Sequence, residues 1–162
     1  MELTQKSVQD YFTLDPLTGI LYHRHAKQGT RQGAVAGSLN KVRGRWRVKV
    51  NTKTFWRSRV IFLYVHGYLP PHVDHRNRNK LDDRPDNLRA ADIYENRYNR
   101  TGQGGRILPK GVYFSNCKRK FRAGIMIRGK RIGLGTHATA EEAQHAYQEA
   151  ARKYHGEFVC EA

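Results

Sequence analysis

The chain has 162 residues, and its 30 Lys and Arg against 14 Asp and Glu leave a formal charge of +16. That length holds one domain or two small ones, and that charge points to a polyanionic partner, nucleic acid first. Cys117 and Cys160 make neither a disulfide framework nor the paired Cys-x-x-Cys of structural zinc. With no apolar signal core and no run of about 20 apolar residues, a soluble, cytoplasmic protein without a membrane role is expected.

Asp15-Pro16-Leu17-Thr18-Gly19 reads as a turn, because Pro presets one dihedral and Gly tolerates another, and it feeds a short strand at Ile20-Leu21-Tyr22. Further strands are expected around 33–39 and 45–51. In the second of these the period of two puts Trp46, Val48 and Val50 on a packing face and Arg45, Arg47 and Lys49 on a cationic stripe. The overall charge favours reading that stripe as a phosphate-contacting surface. Over 54–67, Phe62, Leu63 and Val65 suit a strand passing into a buried helix that ends at Gly67 and Pro70-Pro71.

The stretch richest in chemistry runs from Val73-Asp74-His75-Arg76-Asn77 through Asn87-Leu88-Arg89 to Glu95-Asn96-Arg97-Tyr98-Asn99. Phosphodiester hydrolysis needs a general base to activate water and a cation to stabilise charge on phosphorus and the departing oxygen. A histidine such as His75 can accept a proton from water, and Asp74 supplies a hard oxygen suited to Mg²⁺. Neighbouring strand residues point to opposite sides, so both can serve one site only at a bent strand end. Asp92-Ile93-Tyr94-Glu95 can cap a short helix with Asn96 in its second turn, where the amide oxygen becomes a second metal ligand. His72 precedes the motif and reads as a surface or substrate contact.

Residues 73–100 resemble the core of the HNH (His-Me finger) nucleases, of the zinc-free sort in which Asn replaces the last histidine. The resemblance implies a ββα-metal hairpin, with Asn87 as the middle residue bracing the loop between the strands. It implies that His75 deprotonates water while Asp74 and Asn96 hold one divalent ion, Mg²⁺ first with Mn²⁺ as the alternative. Products would carry 5′-phosphate and 3′-hydroxyl ends. Asp83 stands where Asn is more usual in that family, and Arg78 where a small turn residue often occurs.

Three glycines and no apolar period mark 101–109 as a linker. Beyond it, Val112 and Phe114, then Phe121, Ala123, Ile125 and Ile127, then Ile132 and Leu134, alternate as inward residues of three short strands. Thr139-Ala140-Glu141-Glu142 reads as a capping box, and Ala143, Ala146, Tyr147, Ala150, Ala151 and Tyr154 recur at helical spacing before Gly156. Lys110-Gly111-Val112-Tyr113, Arg131-Ile132-Gly133-Leu134-Gly135 and the helix resemble an apetala-two/ERF DNA-binding domain. That implies a sheet in the major groove, with Arg122, Met126, Arg128 and Arg131 facing outward and Gly124 admitting the duplex closely; Lys110 and Tyr113 join the same DNA-binding set. Tyr113 stands where Arg is common in that family, and Gly133 replaces a large aromatic.

The combined expectation is an α+β protein: at 1–100 a small antiparallel sheet and a ββα-metal nuclease core (motif 73–100), then the linker, then at 110–162 a three-stranded antiparallel sheet packed on one helix. Its function would be metal-dependent cleavage of double-stranded DNA, directed to a site by the second domain and resembling phage endonucleases of homing type. No obligate protein partner is evident. The rivals are a non-catalytic DNA-binding regulator on the same scaffold, and an RNA binder stacking bases on Trp46, Trp56 or Tyr113.

Overall fold

The structure, a computed structural model, describes residues 3–26, 29–100 and 107–159. It is mixed α+β, with small antiparallel sheets, and it divides into two compact units, Met1–Asp92 and Ile93–Ala162.

In the first unit, α1 (Gln5–Tyr11) starts at Thr4, whose side chain accepts the Ser7 N–H. It leads directly into β1 (Phe12–Asp15), which pairs with β2 (Ile20–His23) across the Asp15–Gly19 turn. Asp15 fixes that turn by accepting hydrogen bonds from the Leu17 N–H and the Thr18 hydroxyl. The expected strand at 33–39 is mostly absent. Gly33 and Gly37 have φ of +77° and +108°, which break an extended run, so only Val35 bridges to Tyr22 before β3 (Ser38–Asn40).

β3 pairs with β4 (Arg45–Val50), and β4 with β5 (Lys53–Trp56). Along β4, Val48 and Val50 are buried while Arg47 and Lys49 are exposed, as the alternation requires. α2 (Arg57–His66) follows β5 directly and ends at Gly67, whose φ of +77° gives a left-handed cap. Val65, expected inside, lies on the exposed side of α2. A hairpin of β6 (His72–His75) and β7 (Leu88–Ala91) completes the unit, in the register His72↔Ala91, Asp74↔Arg89, His75↔Leu88. Val8, Phe12, Leu21, Val48, Val60, Ile61, Val73 and Leu88 share one core, so hairpin and scaffold fold together. Full burial of each large side chain contributes about 1.5–3 kcal/mol.

The second unit opens with α3 (Glu95–Tyr98). Its sheet has the order β10 (Lys130–His137), β9 (Lys120–Ile127), β8 (Val112–Ser115), all antiparallel. α4 (Ala140–His155) covers one face and begins at Thr139, which accepts the Glu142 N–H, while Glu142 reaches back to the Ala138 N–H. Val112, Ala123 and Ile125 meet Ala143, Tyr147, Ala150 and Ala151 in the core. Phe114 and Ile132, expected inward, are half exposed on the two outer strands. Tyr154 is also exposed, and the buried position is His155, one step of four beyond Ala151.

α3 packs within this second unit. Tyr98 stacks on His155 with ring centroids 3.8 Å apart and planes 8° apart, and its hydroxyl accepts the Arg128 N–H at 2.7 Å. The packing division thus falls before α3, whereas the glycine-rich linker expected at 101–109 lies largely outside the described residues.

Candidate active site

His75 is the last residue of β6, where the chain turns: its carbonyl accepts the Arg78 N–H, and the Arg76 N–H bonds the Asn87 carbonyl. The imidazole Nε2 lies 2.9 Å from Oδ1 of Asp83. The other oxygen of Asp83 accepts from Arg57 Nε at 2.8 Å, and the Arg57 guanidinium lies 4.7 Å from the centre of the Trp46 ring. His75, Asp83 and Arg57 are 4%, 2% and 3% exposed. A carboxylate paired with a guanidinium only accepts hydrogen bonds, so the contact fixes His75 with its proton on Nε2 and its proton-accepting lone pair on Nδ1.

Asp83 is held from behind as well. Gly19, at φ +67°, lies against the Asp83–Arg84 backbone, and a side chain there would collide with it. No spacing in the sequence couples residues 19, 57 and 83, which is why Arg57 and Asp83 are absent from the expected site.

Asp74 is buried, and its Oδ2 accepts from Arg89 Nε at 2.9 Å and from the second guanidinium nitrogen at 2.8 Å. The pair is cross-strand, Asp74 lying directly opposite Arg89 in the hairpin register. Asn87 ties the intervening loop together: its amide oxygen accepts the Asn77 N–H at 2.9 Å and its amide nitrogen donates to the Asp82 carbonyl at 2.7 Å. Asp82 in turn accepts from Arg84 and Asn77. The Arg84 guanidinium beside it lowers its pKa to about 2. Asn96 lies in the second unit, at the second position of the four-residue α3. The residue preceding α3 is Tyr94, already helical at φ −80° and ψ −48°, and its side chain makes no cap bond.

The donors expected for a divalent ion suit one by type. Mg²⁺ is commonly held by one or two carboxylates with water and substrate phosphate, and Asp74 and Asn96 offer one carboxylate and one amide oxygen. Among the described residues, no group of three or more His, Cys, Asp or Glu gathers elsewhere as a competing metal centre.

Of the residues expected to meet DNA, Arg47 and Lys49 line an open polar concavity beside Ser38 and Thr54 in the first unit. Arg45, which opens β4, is half-buried. In the second unit Arg122 and Arg131 are exposed on the sheet, Arg128 sits at the β9–β10 turn with φ +45°, and Lys110 donates to the Tyr98 and Arg100 carbonyls. Gly124 is buried, and the Tyr113 hydroxyl fills the space above it, so it does not admit a duplex as expected. No helix among the described residues is long and apolar enough to cross a membrane.

The hairpin thus ends in a buried histidine and carries an asparagine-braced loop between its strands. Residues 55–98 match a family model described as HNH endonuclease. This segment therefore carries the signature of an HNH nuclease domain, a class that uses a divalent metal; the match covers α2, the hairpin and α3. No curated protein and no solved structure matches the chain.

Proposed function

We propose that the protein is a metal-dependent DNA endonuclease that leaves 5′-phosphate and 3′-hydroxyl ends, with His75 as general base. The observation that carries this reading is the His75–Asp83–Arg57 chain, which presents Nδ1 as the proton acceptor within a segment of HNH character. Asp74 and Asn96 would hold the divalent cation, which supplies Lewis-acid stabilisation of charge on the phosphate when bound. His75 takes the proton of the attacking water on Nδ1, and Asp83 stabilises the resulting imidazolium through Nε2. Asn87 keeps the 76–86 loop, and hence Asp83, in place. The cationic faces bearing Arg45, Arg47 and Lys49, and Lys110, Tyr113, Arg122, Arg128 and Arg131, hold the duplex by its phosphates. The second unit, apetala-two/ERF-like in pattern, directs the cut in the manner of a homing-type enzyme.

The test is cleavage of supercoiled DNA carrying candidate sites, with Mg²⁺, with Mn²⁺ or with chelator, comparing wild type and His75→Ala. Cutting that needs metal and vanishes in His75→Ala, with duplex binding retained, supports the reading. Wild type that binds but cuts nothing across metals and sites overturns it. A non-catalytic DNA-binding regulator is the second reading. The Arg89 ion pair on Asp74 favours it, because that guanidinium already neutralises the carboxylate a cation would need.

A further inference from the structure

A cavity of about 440 Å³ opens within the second unit, and Lys110, Tyr113 and Arg131, named above for duplex contact, are among the residues lining it. Small-molecule pockets span about 300–1,000 Å³, so it is large enough to act as one. Tyr94, Tyr113 and Tyr147 supply aromatic walls, Arg97, Lys110 and Arg131 supply cations, and no described residue lining it is acidic.

The walls are built rather than incidental. Tyr147 lies against Gly111 and Tyr113 against Gly124, and a Cβ at either glycine would collide with the ring or hydroxyl above it. The Arg131 guanidinium sits 4.5 Å from the centre of the Tyr113 ring. Lys110 is anchored by two carbonyls at 2.6 Å each, which fixes where its charge lies. His155, stacked under Tyr98, adds a flat neutral surface: burial pushes its pKa down, and Nε2 donates to the Met126 carbonyl at 3.1 Å.

Aromatic rings stack on any base, and guanidinium and ammonium groups bind phosphate oxygens. A lining with both and without carboxylates selects an aromatic anion. We infer that this cavity binds one unstacked nucleotide, its base against the tyrosines and its phosphate toward Arg97, Lys110 and Arg131. A base inside a duplex shows only its edges, so this contact differs in kind from groove reading. The nucleotide can be a free mononucleotide or one extruded from a strand.

The full-length protein is titrated with dAMP, with a short single-stranded oligonucleotide and with inorganic phosphate, and tyrosine fluorescence is followed. Saturable binding of dAMP identifies the free nucleotide as a ligand, and binding of the oligonucleotide without dAMP identifies a base in a strand. In either case phosphate alone binds at least tenfold more weakly, and Tyr113→Ala and Arg131→Gln each weaken binding at least tenfold. Arg131 is exposed, so Arg131→Gln carries the test if Tyr113→Ala does not fold. Neither ligand binding, phosphate binding as well as the nucleotide, or a folded Arg131→Gln binding like wild type overturns the inference. None of these readouts uses cleavage, so the nuclease reading can fail while this one stands.

Discussion

Arg57, Asp83 and His75 depend on one another, because each buried charge or ring nitrogen is satisfied by the next. His75→Ala should lower the cleavage rate by about 10²–10⁴-fold, the usual worth of a general base, with no change in a gel-shift measurement of duplex binding. Asp83→Ala strands the Arg57 charge, and breaking such a pair costs about 3–5 kcal/mol. Asp83→Asn keeps an acceptor for the ring and should cost less, so urea melts should rank wild type, Asn, then Ala. Asp82 makes a pH prediction. Its pKa is lowered to about 2, so its contribution to stability is complete above the ordinary value of 3.8 and is lost as pH falls toward 2. The difference in melting temperature between wild type and Asp82→Asn should therefore be constant above about pH 5 and close toward pH 2. The HNH character of the stretch holding Asp74, His75 and Asn87 was legible because the motif is local in sequence. Asp83 and the Arg89 partner of Asp74 were not, since one needs the path of the loop and the other the hairpin register.

Elements with clear periodicity were read well, and short or glycine-interrupted ones were not. The alternation in β4 and β9 and the capping signal at Thr139 were sufficient, because each has several residues facing a continuous core. β1 offers four residues and one fully buried side chain, Phe12, so no alternation precedes it. α3 spans a single turn, too short for a period to show, and the Tyr98–His155 stack packs it into the second unit. Ile125, almost fully buried between β9 and α4, should cost about 2–5 kcal/mol on truncation to Ala, read as a fall in unfolding midpoint. Gly19→Ala should destabilise by at least about 1–2 kcal/mol from its left-handed backbone alone. Because the added carbon also meets the backbone of Asp83, it should slow cleavage as well, which a stability defect elsewhere would not do at permissive temperature.

Charge is distributed over both units, with cationic side chains on β4 of one and on the sheet of the other. The logarithm of duplex affinity should fall linearly with the logarithm of salt concentration, and each lost phosphate contact should reduce the slope by about 0.9. Arg47→Gln and Arg122→Gln test this separately in the two units, and a slope unchanged in either removes that residue from the interface. The +16 charge was evident before any coordinates, because composition reports it directly. That the packing units part between Asp92 and Ile93 was not, because it depends on which core Tyr98 joins. The Tyr98–His155 stack has a practical meaning for anyone dividing the chain into separately expressed parts. A cut in the glycine-rich stretch would leave α3, with Asn96 on it, stripped of its own packing partner, so a fragment meant to keep Asn96 in its native setting has to retain α4 as well.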